Sequence, residues 1–127
     1  MLAIKLATAK ELSLLLDLRL EVLRAANKLS FDTPLFSVRE NTKHYYKTAF
    51  ANNTQQTYLA YQEDVLVGCG SVCFYTLLPT CDHETGRCAY IMNMYTRPAF
   101  RRQGIATALL DHLVEKAKQA GASKIML

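Results

Sequence analysis

No stretch of this 127-residue chain is both apolar and long enough to span a bilayer. The longest uncharged run, Val65 to Cys81, has 17 residues and contains Gly68, Gly70 and several β-branched side chains, which suits a buried strand and its exit. The N-terminal MLAIKLATAKEL is broken by Lys5, Lys10 and Glu11, so the apolar core of a secretory leader is missing too. A cytoplasmic protein with no membrane partner is expected. Charge of one sign is also scarce. The net charge is only +4 and the basic residues are scattered, apart from Arg97, Arg101 and Arg102. That excludes the dense basic face of a nucleic-acid binder and suits an anionic small ligand.

Paired cysteines are missing as well. Cys69, Cys73, Cys81 and Cys88 have three, seven and six residues between successive members, which misses the C-x-x-C pattern of zinc sites. No metal is expected. Cys69 and Cys73 lie in the apolar run and read as small hydrophobes. Cys81 and Cys88 flank a loop and could meet across a hairpin, although a cytosolic setting disfavours a lasting bond. There are no repeats, no low-complexity tract and no linker. With 50% hydrophobic and 20% charged residues, the chain reads as one folded domain over 1–127.

What is present is periodicity. Residues 2–7 form a short strand, and Thr8 with Glu11 makes a capping box. The helix that follows has an apolar face of Leu12, Leu15, Leu16, Leu20 and Leu23 and ends near Asn27. Ser37 with Glu40 suggests a second box, opening a helix to about Ala51 with the stripe Val38, Thr42, Tyr45 and Ala49. Thr57–Gln62 and Val65–Leu77 read as a hairpin turned at Glu63-Asp64, and Tyr90–Thr96 as another strand. Ile105 to Ala120 is the clearest helix, through Ile105, Leu109, Leu113, Ala117 and Ala120, with Gly121 as its left-handed cap. Lys124–Leu127 starts a last strand, and this strand–helix–strand crossover predicts a parallel pair. The fold class is α/β: a mixed central sheet, antiparallel in its N-terminal strands, with helices on both faces.

The chemistry concentrates between Met94 and Thr107. Pro98 ends the strand by removing a donor and fixing φ. The next helix starts with unpaired N–H groups, and Gly104 and Ala106 keep its first turn free of bulk. A diphosphate can then approach the backbone, favoured by the helix dipole. Arg101 and Arg102 add charge-assisted hydrogen bonds. The alternatives are close packing of small residues on a sheet and solvated surface arginines. Neither a Walker loop nor G-x-G-x-x-G is present.

Strand, Pro, then Arg101-x-x-Gly104-x-Ala106 and a helix resembles the coenzyme A signature of the GNAT superfamily of N-acetyltransferases. The order of elements is similar to that family over essentially the whole chain. The resemblance implies transfer of acetyl from acetyl-CoA to a small-molecule or protein amine. Met94, Tyr95 and Thr96 would present backbone groups to the pantetheine arm. Arg101, Arg102, Gln103, Gly104, Ile105, Ala106 and Thr107 would surround the pyrophosphate, Ala106 replacing the commoner glycine. An N–H near Met94 would polarise the thioester carbonyl.

The strand holds no carboxylate to serve as a base. Asn93 is the candidate for ordering a water, a hydrogen-bonded strand residue being its other role. Asp82, His83 and Glu84 are candidates for an acceptor pocket or plain loop residues, and Tyr45, Tyr46 and Tyr75 for pocket walls or core. Members of the family continue past the strand at 124–127 with a helix, two strands and usually a tyrosine that protonates the thiolate. The resemblance therefore implies a C-terminally incomplete fold. The exposed edge of the last strand would then invite a homodimer.

Overall fold

Apolar alternation and two local turn devices produce most of the sheet. The computed structural model describes all residues 1–127, arranged as two compact units, Met1–Ala7 with Thr54–Leu127 and the intervening Thr8–Asn53.

The first unit is a five-stranded sheet in the order β1 (Leu2–Leu6), β2 (Gln55–Gln62), β3 (Val65–Thr76), β4 (Arg87–Thr96), β5 (Lys124–Met126), with the helix α3 (Ile105–Gln119). The β2–β3 hairpin turns at Glu63 and Asp64, with φ of 50° and 65°. Two successive positive φ values match the right-handed twist of the flanking strands. The expected crossover is observed: β4 and β5 are parallel, pairing Cys88, Ala89 and Tyr90 with Lys124, Ile125 and Met126. The other neighbours are antiparallel.

Helix α3 buries Ile105, Leu109, Leu113 and Ala117, the expected stripe, against Tyr58, Ala60, Val72, Phe74, Ala89 and Ile91 of the sheet. Gly121, at φ 87°, and Ala122 return N–H groups to Lys118 and Ala117 at 3.0 and 3.1 Å, closing the helix end. Arg87 secures this end from β4, its Nε donating to the Ala120 carbonyl at 2.7 Å while its guanidinium covers Phe74. None of the four cysteines is in a disulfide, so Cys81 and Cys88 do not pair across the loop.

The second unit holds α1 (Leu12–Ala26) and α2 (Phe36–Asn52). The Thr8 box forms, its N–H donating to Glu11 at 2.9 Å, but it opens a single 3-10 turn that leads into α1. The Ser37 box does not form. Helix α2 starts at Phe36, so Ser37 lies inside the first turn, where its side chain caps nothing. The buried face of α1 is Leu15, Leu16, Leu18 and Val22, rotated from the expected stripe. On α2, Tyr46 is buried and Tyr45 is exposed, the reverse of the expected pattern; Tyr46 stacks on Phe50 at 5.9 Å. Asn53 ends the helix in the left-handed conformation. No helix is long and apolar enough to cross a membrane.

Candidate functional site

The β4 strand loses its regular pairing halfway along. Cys69 pairs with Tyr95 and Ser71 with Met92, so Gly70 alone stands opposite Asn93 and Met94. This bulge places Asn93 at φ 61°, a conformation asparagine tolerates better than most residues. Met94 packs toward the α3 side. A Cβ added to Gly70 would fall 2.7 Å from Met94 Sδ and 2.6 Å from Leu113 Cδ1, so any side chain there would force both to shift. Asn93 turns the other way, donating Nδ2 to Ser71 Oγ at 3.0 Å, and its carbonyl accepts from the Cys69 thiol at 3.4 Å.

Beyond Thr96 the chain is tied back to the sheet. The Arg97 N–H donates to the Val67 carbonyl at 2.8 Å, and its Nη1 to the Leu66 carbonyl at 3.1 Å. Arg97 thus serves the strand exit. Pro98–Phe100 is a 3-10 turn, with Pro98 at its first position. Arg101 Nε donates to the Thr96 carbonyl at 3.0 Å, bridging the loop to the strand end. Arg102 sits at φ 65° and Gly104 at φ 81°, and α3 begins directly after.

No side chain caps α3. The Ala108 N–H bonds to the Gly104 carbonyl at 3.0 Å, leaving the N–H groups of Ile105, Ala106 and Thr107 as first-turn donors with no intrahelical acceptor. They open on a hollow of about 370 Å³ lined by Thr96, Phe100, Arg101, Arg102, Gly104, Ile105, Ala106 and Thr107. A Cβ at Gly104 would meet nothing within 4 Å, so the space in front of the turn is open. Thr96 Oγ1 is buried with no hydrogen-bond partner in the protein. An anion reaching this turn meets backbone donors and two arginines together.

Of the expected site residues, the hollow gathers Thr96, Arg101, Arg102, Gly104, Ile105, Ala106 and Thr107. Met94 and Tyr95 lie upstream on β4, outside its lining, and Gln103 is engaged by Gln62, whose Nε2 donates to its Oε1 at 3.1 Å. Phe100 was missed; as an aromatic in a Pro-led turn it carried no chemical signal. The loop candidates stay near the surface. Asp82 accepts from Thr80 at 2.9 Å, a bond that lowers its carboxyl pKa, and His83 contacts the Arg87 carbonyl at 3.3 Å.

A polar row was also missed. Gln55, Thr57 and Ser71 are buried in the middle of the sheet. Thr57 Oγ1 lies 2.8 Å from Gln55 Oε1 and 2.7 Å from Ser71 Oγ. Ser71, a polar residue inside the apolar run of β3, was the available signal.

The sequence model of the acetyltransferase (GNAT) family matches residues 22–127. No protein of curated function matches the sequence. A predicted acetyltransferase with acetyl-CoA from Clostridium acetobutylicum aligns at 31% identity and TM-score 0.87, over 100% of this chain and 80% of that one. A GCN5-related N-acetyltransferase from Ralstonia eutropha JMP134 aligns at 16% identity and TM-score 0.85, over 100% and 82% of the two chains. An aminoglycoside N-acetyltransferase in complex with CoA aligns at 12% and 0.73, over 99% and 75%. The last two likenesses concern fold alone.

Proposed function

The chain belongs to the acetyltransferase (GNAT) family, and on that premise we propose that it transfers acetyl from acetyl-CoA to a primary amine held in the same complex. The observation that carries the reading is the uncapped α3 turn, whose first N–H groups open on one hollow together with Arg101 and Arg102. The residues there fit a diphosphate. The N–H groups of Gly104 to Thr107 and the Arg102 guanidinium would hold its oxygens. Backbone groups of Met94, Tyr95 and Thr96 would receive the pantetheine arm.

Acetyl-CoA supplies an activated acyl carbon as a thioester. The Met94 N–H, at the bulge, would donate to the thioester carbonyl oxygen. The amine lone pair forms the C–N bond, the C–S bond breaks, and the departing sulfur takes up the proton that the amine releases. A lysine-like amine must first lose a proton, at a cost of roughly 4–5 kcal/mol at pH 7. With no carboxylate on β4, desolvation or a held water supplies that step. The 127 residues act as one domain in the cytoplasm, without metal, and the outer edge of β5 is the proposed contact in a homodimer.

Calorimetry with acetyl-CoA tests binding, and thiol release over a panel of amines including aminoglycosides and peptide N-termini tests turnover. Binding with turnover supports the reading. Binding without turnover on any amine would make this a non-catalytic acyl-CoA module, and no binding would refute the site.

A further inference from the structure

The bulge that interrupts β4 is joined to a line of buried side chains running across the sheet. Asn93 Nδ2 lies 3.0 Å from Ser71 Oγ, Ser71 Oγ 2.7 Å from Thr57 Oγ1, and Thr57 Oγ1 2.8 Å from Gln55 Oε1. These four residues come from three adjacent strands. Thr57 is fully buried, and Gln55 and Ser71 are each 5% exposed. Such groups are costly to bury unless each is satisfied in a defined direction.

The direction can be deduced. With the Gln55 amide oriented as it is in the structure, its carbonyl oxygen only accepts, its Nε2 is buried without a partner, and the single Thr57 hydroxyl proton is committed to Oε1. The 2.7 Å contact between the hydroxyls must then use the Ser71 proton. Ser71 oxygen is left as the acceptor for the Asn93 amide. Every donor along the line points from β4 toward β2. In a low-dielectric interior such aligned bonds reinforce one another. The Asn93 amide is thereby fixed in one of its two flipped orientations.

We infer that Thr57 and Ser71 are positioning residues for the acyl site: through Asn93 they fix the β4 bulge, and with it the Met94 N–H that faces the acyl carbonyl. The inference rests on the proposed acetyl transfer and deepens it. Two further contacts hold the same segment. The Cys69 thiol engages the Asn93 carbonyl, and the Met94 side chain fills the space left by Gly70. The polar line restrains Asn93 from the opposite face of the sheet to the one on which Met94 is packed. Residues 93 and 94 are thus gripped on both faces, which is what a preorganised donor requires. Neither Thr57 nor Ser71 lines the hollow, so neither touches the phosphate end.

The test uses two substitutions at one position. Thr57→Val keeps the shape and removes the hydroxyl; Thr57→Ser keeps the hydroxyl and removes a methyl. The readouts are the Kd for acetyl-CoA and the downfield shift of a carbon-13 label at its carbonyl on binding. Thr57→Val is expected to keep Kd within about twofold while losing about half of the shift, because the tether on the donor is relaxed. Thr57→Ser is expected to retain both. Equal shifts in all three proteins, or equal losses in the two variants, would overturn the inference while leaving the binding site intact. If the parent protein does not bind acetyl-CoA, the proposed function fails and this inference fails with it. A measurement on the free parent protein covers the case in which Thr57→Val does not fold. The Asn93 side-chain amide protons should exchange with water far more slowly than those of the exposed Asn41, and exchange at the same rate overturns the inference.

Discussion

At the scale of single residues, Gly104 does two things that a sequence motif presents as one. Its φ of 81° admits the loop to the helix, and its missing side chain leaves the front of the first turn open. Different substitutions separate these roles. Gly104→Asn accepts the left-handed backbone with little strain but places a side chain in the hollow. It should melt close to the parent protein and bind acetyl-CoA at least about tenfold more weakly, since every 1.4 kcal/mol lost at a contact is tenfold. Gly104→Val adds backbone strain of about 1–2 kcal/mol and should lower the melting temperature as well. Calorimetry beside thermal unfolding decides this, and unchanged affinity in Gly104→Asn would refute the site. Arg102 is exposed, so its part is electrostatic. Arg102→Ala should cost more affinity at low salt than at high salt, and an equal loss at both would assign it a packing role.

At the scale of elements, the packing of β3 against the bulged β4 is the sensitive joint. Gly70→Ala forces Met94 and Leu113 to shift, an overpacking cost of about 1–3 kcal/mol, and should reduce turnover as well as the denaturation midpoint. A fully active Gly70→Ala protein would show that the Met94 position is not critical. The elements themselves were legible in the sequence. The hairpin, the crossover and α3 with its glycine cap all stand where periodicity and turn residues put them. The faces of α1 and α2 were not, because leucines on several sides of α1 and aromatics at adjacent positions of α2 leave the stripe ambiguous. The Ser37 box failed because a capping pattern states a local preference, and the helix starts two residues earlier than the box implies, at Phe36. The uncapped α3 turn and the hollow in front of it were readable because they are marked by Pro98, Gly104 and Ala106. The bulge at Asn93 was not, since one extra residue in a ladder leaves no trace in alternation until the partner's register is known.

At the scale of the whole molecule, stability should depend on pH through His112. Its ring meets Tyr58 edge-on at 4.5 Å, and its Nε2 is buried with no hydrogen-bond partner. Burial, and then the neighbouring Lys116 charge, hold its pKa below the usual histidine value. The unfolded chain takes up this proton near pH 6.5, while the folded chain resists it to lower pH. The contribution is therefore fully present above about pH 6.5 and is lost as the pH falls from there toward the folded pKa. Melting temperatures across pH 8 to 5 should fall less steeply in His112→Phe than in the parent, and parallel curves would dismiss His112 as a source. The order of strands has a separate, kinetic consequence. Strands β1 and β2 are neighbours in the sheet, yet Thr8–Asn53 lies between them in the chain. Closing a loop of that length costs about 3 kcal/mol of chain entropy before any ladder bond repays it, whereas β2, β3 and β4 meet through short connections. The meander can therefore assemble as soon as it leaves the ribosome, and the first strand to be synthesised is the one that must wait for the rest.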